Sequence, residues 1–585
     1  MSFPKGIIDV VDNVRNTTIS TPSSSSKNKS IIKNETKNIN SQCQVIVFLW
    51  NQEVINRRDE KNDQLAAQAE AFDISNHIYN CTFTKNMESP AGNFSMTIDA
   101  TRDWKDILKP GQWCIILMSN EGNLELPDTE DFGRVLPKAS LNPGNRDKIR
   151  AIGYIERVAV NTSMTDTGAF DISYEVSGRD FGVIYEETEI WYNFFKFEKT
   201  KLESFFASLQ EFNVITPVGQ LVKKVHDLFY APHKVVSGIT PESQGLAEIG
   251  TQWLMPKPLL NMLKVPHTNS SYYGQITNLF DDGFENGDFA QTAIVRQIEN
   301  PLLFASGAAW EKLKEISVQE LHELYTELNS EGQPRLVFRP IPWAIRTDGY
   351  PALAPGITKY KDLGANKVSS IPIHAIDVLD FNLGEDNHAR YNHFLLQLHP
   401  SVMFPLSNVS VLFKQKSLLG REFPYIQRGS IKRHGLRLKH VSINTLAFSI
   451  KNLRQNAKDL KDGLPFAPAL LQFNELLTDY WNNAIFFESG TMSIVGNPKI
   501  RLGKALNCQY DIPYVANKLF YIEGYTDEFT VQENGSTLWT QTLQLTRGIE
   551  KADLKGVGSG FRIRSEEGKA SVVASDLTID SGRHK

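Results

Sequence analysis

Three histidines, His388, His393 and His399, lie close enough along the chain to raise a metal site. Their spacings of five and six residues fit neither one helix face nor one strand face, and no Cys-x-x-Cys or His-Glu-x-x-His accompanies them. They are therefore assigned no metal. The stretch Asp281-Asp282-Gly283-Phe284-Glu285-Asn286-Gly287-Asp288 has the oxygen-rich look of a calcium loop, but it lacks the fixed acidic positions and the closing Glu, and it reads as an exposed turn. The patch Lys432, Arg433, His434, Arg437, Lys439 and His440 could contact phosphate. Without interleaved aromatics on a platform it reads as a solvated or interface surface. Candidates for a catalytic carboxylate pair, Glu311, Glu315, Glu320 and Glu323, fall on a predicted amphipathic helix, where charge is expected anyway. No Cys has a His in a nucleophile context, and no Gly-rich phosphate loop follows a strand. The residues thus assign no catalytic, cofactor-binding or metal site, and the chain is expected not to be an enzyme.

The elements that would position any site are mostly strands. At 585 residues the chain is long enough for about four domains of ~150 residues. Its 41% hydrophobic, 22% charged and 10% aromatic content is ordinary for a globular protein, and no apolar run approaches the roughly 18 residues that span a bilayer. A net charge of −5 and a pI near 6.2 give no reason to expect general nucleic-acid affinity. Met1 to Val14 lacks the features of a secretory signal, so the chain is expected to stay in the compartment where it is made. Cys43, Cys81, Cys114 and Cys508 show no close pairing, and they read as reduced, buried thiols.

Residues Asn16 to Gln42 are Ser-, Thr-, Asn- and Lys-rich and read as an arm without a core of its own. Val45-Ile46-Val47-Phe48-Leu49-Trp50 then opens the first strand. Cys81 to Thr84 and Phe94 to Ile98 read as a hairpin with Phe94, Met96 and Ile98 facing inward. Trp113 to Leu117, Ile152 to Ile155 and Phe170 to Val176 continue the strands, the last ending in Ser177-Gly178-Arg179-Asp180. The aromatic-rich stretch from Trp191 to Ala305 reads as a packing face, with a helix around Phe194 to Phe206. Ala309 to Glu315 is a predicted helix, and a capping box of Ser317 and Glu320 predicts a second helix from about Val318 to Leu328. Arg335 to Pro340 is a strand, a helical stretch surrounds Leu470 to Trp481, and Gly490 to Gly548 holds three strands in succession. In the last of these, Trp539, Leu543 and Leu545 share one face, with Thr540, Thr542, Gln544 and Thr546 on the other.

The order of phrases from Cys43 to Gly548 resembles the tail hub proteins of tailed bacteriophages. The phrases are Phe94-x-Met96-x-Ile98, Gly153-Tyr154-Ile155, Gly178-Arg179-Asp180, Ile376-Asp377, Tyr391-Asn392, Ser430-Ile431 with Gly435 and Arg437, and Phe520-Tyr521-Ile522-Glu523-Gly524 closing on Arg547-Gly548. His434 stands for the usual Tyr, and Asp527 stands where many members carry His.

The resemblance implies a mainly β protein with α insertions (α+β): two small antiparallel β-barrels plus helical and mixed domains. The expected boundaries are an N-terminal arm (1–42), a first barrel (43–190), an α-rich domain (191–332), a second barrel in two parts (333–400 and 489–550) split by a mixed insertion (401–488), and a tail (551–585). It further implies a virion protein of the phage tail baseplate, made in the host cytoplasm. The implied assembly is a homotrimer joining the hexameric tail tube to the trimeric central spike around a channel for DNA ejection. Implied partners are the tail tube or tube-initiator protein, the central spike, baseplate wedge proteins and the tape measure protein, with no specific nucleic-acid binding, no cofactor and no membrane span. A tail-associated cell-wall hydrolase on a hub scaffold, and the hub of a phage-derived contractile injection machine, remain alternative readings.

Overall fold

The computed structural model describes residues 40–49, 70–124, 143–164, 170–190, 307–317, 322–340, 370–385, 391–398, 428–443 and 488–550, with short pieces between them. The N-terminal arm, most of the stretch from Trp191 to Ala305, the helix expected near Leu470 and most of the tail lie outside the described residues.

Strands predominate. The N-terminal half carries β1 (Gln42–Leu49), β2 (Glu70–Asp73), β3 (Ile78–Asn86), β4 (Asn93–Ile98), β5 (Trp113–Ser119), β6 (Arg134–Leu136), β7 (Ile149–Met164) and β8 (Phe170–Asp180). The C-terminal part carries β9 (His322–Leu328), β10 (Pro334–Pro340), β11 (Ser370–Ile373), β12 (Val378–Glu385), β13 (Glu488–Val495), β14 (Ala505–Cys508), β15 (Lys518–Val531) and β16 (Thr537–Glu550). Local sequence explains each face. In β4, Phe94, Met96 and Ile98 are buried while the residues between them are not. In β16, Trp539, Leu543 and Leu545 are buried, as the period of two predicts. β5 lies between β1 and β7 and is buried along its whole length.

The described part of the helix expected from Val318 to Leu328 is instead β9, paired antiparallel with β10 from His322↔Pro340 to Leu328↔Pro334. Ser317 does not open a helix but closes one. It is the C-cap of the helix Ala309–Ile316, where its N–H donates to the Leu313 carbonyl at 2.9 Å and its hydroxyl donates to the Lys314 carbonyl at 2.9 Å. The tight Asn329 to Gln333 turn then lets β9 and β10 satisfy each other's backbone groups, and that pairing overrides the local helix signal.

Fourteen strands join in one sheet in the order β12-β13-β16-β15-β3-β4-β8-β7-β5-β1-β2-β6, with β14 on β15 and β11 on β14. The mainly β character with few helices is as expected; among the described residues the sheet shows no closed barrel, and its two halves are joined through β3 and β15. The reason lies in β15, which is 14 residues long. Its first part pairs with β14 and its remainder, Gly524 to Thr530, pairs with β3 from Gly524↔Asn86 to Thr530↔Asn80. Backbone groups that could close the N-terminal half on itself are thereby committed to the other half. One hydrophobic core accordingly runs through both, from Val45, Phe83 and Met96 to Met492, Phe520 and Trp539.

The two halves repeat one topology. The first runs β3-β4-β8-β7-β5-β1-β2 and the second β12-β13-β16-β15-β14-β11. Among the described residues β1 has no counterpart in the sheet. It is antiparallel to both β5 and β2, leaving those two parallel to each other, and where it is missing β11 pairs directly and in parallel with β14. Irregularities repeat as well. β3 slips against β4 between Ile78 and Asn80, and β12 slips against β13 between Val378 and Asp380. The bulge of β7 against β8 falls at Glu156 and that of β15 against β16 at Glu523, each inside a Tyr-Ile-Glu phrase.

Candidate functional site: the seam between the halves

The described residues concentrate their buried charge where the halves meet. β3 and β15 supply the backbone ladder, Thr84 Oγ1 lies 3.1 Å from Thr526 Oγ1, and the Phe83 ring meets Tyr525 edge-on at 6.0 Å between centroids. Beneath the ladder, Arg150 of β7 reaches Asp527 of β15 with both side chains 0% exposed. Arg150 Nε donates to Asp527 Oδ2 at 2.7 Å, and its Nη1 donates to the carbonyls of Pro498 at 3.1 Å and Ile500 at 2.8 Å. The other Asp527 oxygen accepts from Trp539 Nε1 at 3.1 Å and Gln541 Nε2 at 2.6 Å. Burial works against the Arg150 charge, but Asp527 outweighs it and holds the guanidinium above its ordinary pKa. Arg501, also buried, is lowered by that burial and by the charge of Arg150.

Neighbouring segments fasten the same place. Arg501 Nη2 donates to the Asp147 carbonyl at 3.1 Å and the Ile149 carbonyl at 2.5 Å, and Asn120 Nδ2 donates to the Gly496 carbonyl at 2.6 Å. The hairpin β9–β10 contributes Glu327, which accepts from the Leu502 N–H at 2.8 Å, and Glu323, which accepts from Arg547 Nη1 at 3.1 Å and from the Tyr521 hydroxyl. Glu323 is thus a buried strand residue, not the exposed helix residue the sequence suggested, and Glu311 is exposed on the Ala309–Ile316 helix.

Gly178-Arg179-Asp180 has a structural role of the same kind. Buried Asp180 pairs with Lys85 and accepts from the N–H groups of Gly92 at 3.0 Å and Gly182 at 2.9 Å, fixing the end of β8 to the β3–β4 turn. Arg179 Nε donates to Glu156 at 2.6 Å, and Arg547 pairs with Glu523 at 3.0 Å, so each half ties an arginine of its last strand to the glutamate of its bulge.

The remaining sequence candidates are not brought together. His393 begins a strand, His393–Leu398, parallel to Leu438–Ile443, whereas His388 and His399 lie outside the described residues. Among the described residues no group of three His, Cys, Asp or Glu side chains could hold a metal. Phe284–Asn286, inside the predicted calcium-like turn, is a strand parallel to Leu336–Phe338, and the flanking acidic residues lie outside the described residues. Lys432, Arg433 and His434 end a helix, Arg428–His434, and Lys432, Arg433 and His440 face solvent. The four cysteines are buried and form no disulfide. No helix among the described residues is long and apolar enough to cross a membrane.

At the seam Asp527, Glu323 and Glu327 accept from Arg150, Arg547 and the Leu502 N–H, an arrangement that holds two sheets in one register, while the buried Arg150 Nη2 and Arg501 Nη1 make no hydrogen bond among the described residues. Sequence reasoning missed it, although the twofold occurrence of Tyr-Ile-Glu was a signal that could have led there.

No protein-family model matches the chain, and no curated protein matches it significantly. Among solved structures, the chain is similar to the tail protein from Neisseria meningitidis MC58 at 11% identity, over 86% of this chain and 96% of that one, with a TM-score of 0.35. It is similar to the 43 kDa tail protein of prophage MuSo2 from Shewanella oneidensis at 10% identity, over 86% and 98% of the two chains, with a TM-score of 0.38. A Francisella PdpA-VgrG complex matches at 8% identity over 87% of this chain and 58% of that one, with a TM-score of 0.35. These scores are low, and the function is argued from the chain's own strands.

Proposed function

We propose that the chain is a structural protein of a phage tail, the hub that joins the tail tube to the central spike and surrounds part of the channel for DNA. The observation that carries this reading is the repeated strand order, fused edge to edge through β3 and β15. A chain holding two like units presents six of them when three chains close a ring, which suits a sixfold tube on one side and a threefold spike on the other. The order of hub-like phrases from Cys43 to Gly548 supports the same reading, and the superpositions carry none of it. The proposed assembly is a homotrimer with the tube or its initiator, the spike, the wedge proteins and the tape measure protein as neighbours. The buried ion pair of Arg150 and Asp527, which ties the two halves together, supports the scaffold reading.

A reconstruction of assembled tail tips tests this directly. Three copies of the chain between tube and spike are expected, and six copies, or a position away from the tube axis, would overturn it. A zymogram on purified cell walls should show no clearing by the isolated chain, and clear lysis would favour the hydrolase alternative.

A further inference from the structure

Each repeat has two lateral edges, and within the chain only one junction between repeats is made. There, the outer half of β15 adds to β3 of the other half. By the repeated topology, the counterpart of β15 is β7 and the counterpart of β3 is β12. The outer half of β7, beyond the last pair with β5 at Tyr154, is hydrogen bonded on one side only, to β8, among the described residues. Among the described residues β12 pairs with β13 alone and ends the sheet. The two strands that correspond to the internal junction are therefore both open among the described residues.

We propose that these edges join two copies of the chain: β12 of one protomer adds antiparallel to the outer half of β7 of the next, repeating between chains the β3–β15 junction made within one. Exposed sheet edges offer unpaired N–H and C=O groups that template a further strand, and a second copy carries the matching edge. The register follows from the internal junction. Glu156 corresponds to Glu523 at the bulge, and Val378 corresponds to Ile78 at the slip. The pairs Asp527↔Phe83, Glu528↔Thr82 and Phe529↔Cys81 then translate to Val160↔Leu383, Asn161↔Asn382 and Thr162↔Phe381.

Side chains agree with that register. Cys81, Phe83, Asp527 and Phe529 at the internal junction are buried. Their counterparts Val160, Phe381 and Leu383 are only partly buried and, with Val158, pack against the core from the open edges, and Thr162, the counterpart of Phe529, is exposed. Apolar side chains thus predominate on the inner face of both free strands, while Asn161 and Asn382 face solvent on the outer one. The joint is head to tail, so it propagates until the rotation closes. Only the number three rests on the proposed hub role; the pairing itself does not.

The test is a disulfide trap in the full-length chain carrying Asn161→Cys and Asn382→Cys. Opposed residues in an antiparallel pair lie about 4.5–5.5 Å apart at Cα, within disulfide reach. The four native cysteines are buried, so background linking is low. Oxidation of the concentrated chain, and of cells producing it with its tail partners, should give linked oligomers up to a closed ring, with far less product from Asn161→Cys paired with Asp380→Cys. Thr162→Asp, at an exposed position of the same edge opposite Phe381, should sharply reduce the linked species while leaving the monomer's melting temperature nearly unchanged. A ring linked at 161 and 382 but containing a number of chains other than three would keep the pairing and refute the trimeric hub. A trimer at the tail tip without this link would keep the hub and overturn the pairing, as would absence of the link in both settings, whether because another segment covers the edges or because the chain stays monomeric.

Discussion

Replacing Asp527 by Ala should be among the most destabilising single changes available to this protein. Its carboxylate receives Arg150 at 2.7 Å, Gln541 at 2.6 Å and Trp539 at 3.1 Å, and neither Asp527 nor Arg150 has any exposed side-chain surface. Deleting the acid strands the guanidinium in a dry interior, for which losing one partner of a buried pair costs about 3–5 kcal/mol. Unsatisfied Trp539 and Gln541 donors add about 1–3 kcal/mol each, though not additively. Taking ~3 kcal/mol as the floor, and ~2–4 °C per kcal/mol for a cooperative unit of 150–250 residues, melting should fall by at least about 6–12 °C. The double variant Asp527→Leu with Arg150→Met removes both charges and should lie well above Arg150→Met and Asp527→Leu combined additively, because no lone ion is left buried. Scanning calorimetry of the four proteins measures this cycle. A melting temperature for Asp527→Ala within ~2 °C of the parent, or a cycle with no coupling, would refute the view that this pair fastens the halves.

Trp539→Ala should cost about 3–5 kcal/mol in urea unfolding, since the ring is fully buried in the core. Gly496→Ala should destabilise by about 1–3 kcal/mol or more, because a Cβ there would stand 2.1 Å from Trp539 Cδ2; unchanged unfolding would show the loop can move aside. The four cysteines should resist a thiol reagent at mild alkaline pH and react fully in urea, because the hydrogen bond that the Cys43 thiol donates to Cys81, together with burial, pushes the Cys43 thiol up and burial does the same for Cys114. Burial pushes the Asp99 carboxyl up, but hydrogen bonds from Thr101 and His77 outweigh it and hold the carboxyl below its ordinary value of 3.8; with the folded pKa depressed, its stabilisation is present above that value and lost as pH falls through the folded one. Asp99→Asn should therefore lower stability at neutral pH and flatten the acid limb below about pH 4, which melting curves across pH would show.

Much of the strand pattern was legible because burial on one face writes a period of two into the sequence. Phe94, Met96 and Ile98 name their face unaided, and so do Trp539, Leu543 and Leu545. The 318–328 segment misled because Ser317 and Glu320 fit a helix start while Ser317 serves a helix end, and only the partner strand β10 decides between them. The seam was illegible for another reason. Arg150 and Asp527 are 377 residues apart, and an isolated Arg or Asp within a strand looks like a solvent-facing residue until the opposite element is known. Asp527 stands where the resembling family often has His, and its engagement with Arg150 gives that departure a physical account.

The repeat also explains why the inner face of the seam is charged and the inner faces of the open edges are not. Asp527 and Val160 hold equivalent places on β15 and β7, yet only Asp527 faces an arginine, and Arg150 itself comes from β7 of the other half. A buried ion pair adds little net stability compared with apolar packing but tolerates few alternative partners, because either charge alone is strongly penalised. Placed within the chain, it makes the β3–β15 junction intolerant of slippage and of exchange with another copy. Val158, Val160, Phe381 and Leu383 impose no such constraint, so they can stay half-exposed in a free chain and be covered later. The junction that must form during folding is specified by charge, and the edges left for assembly are specified by shape and backbone pairing.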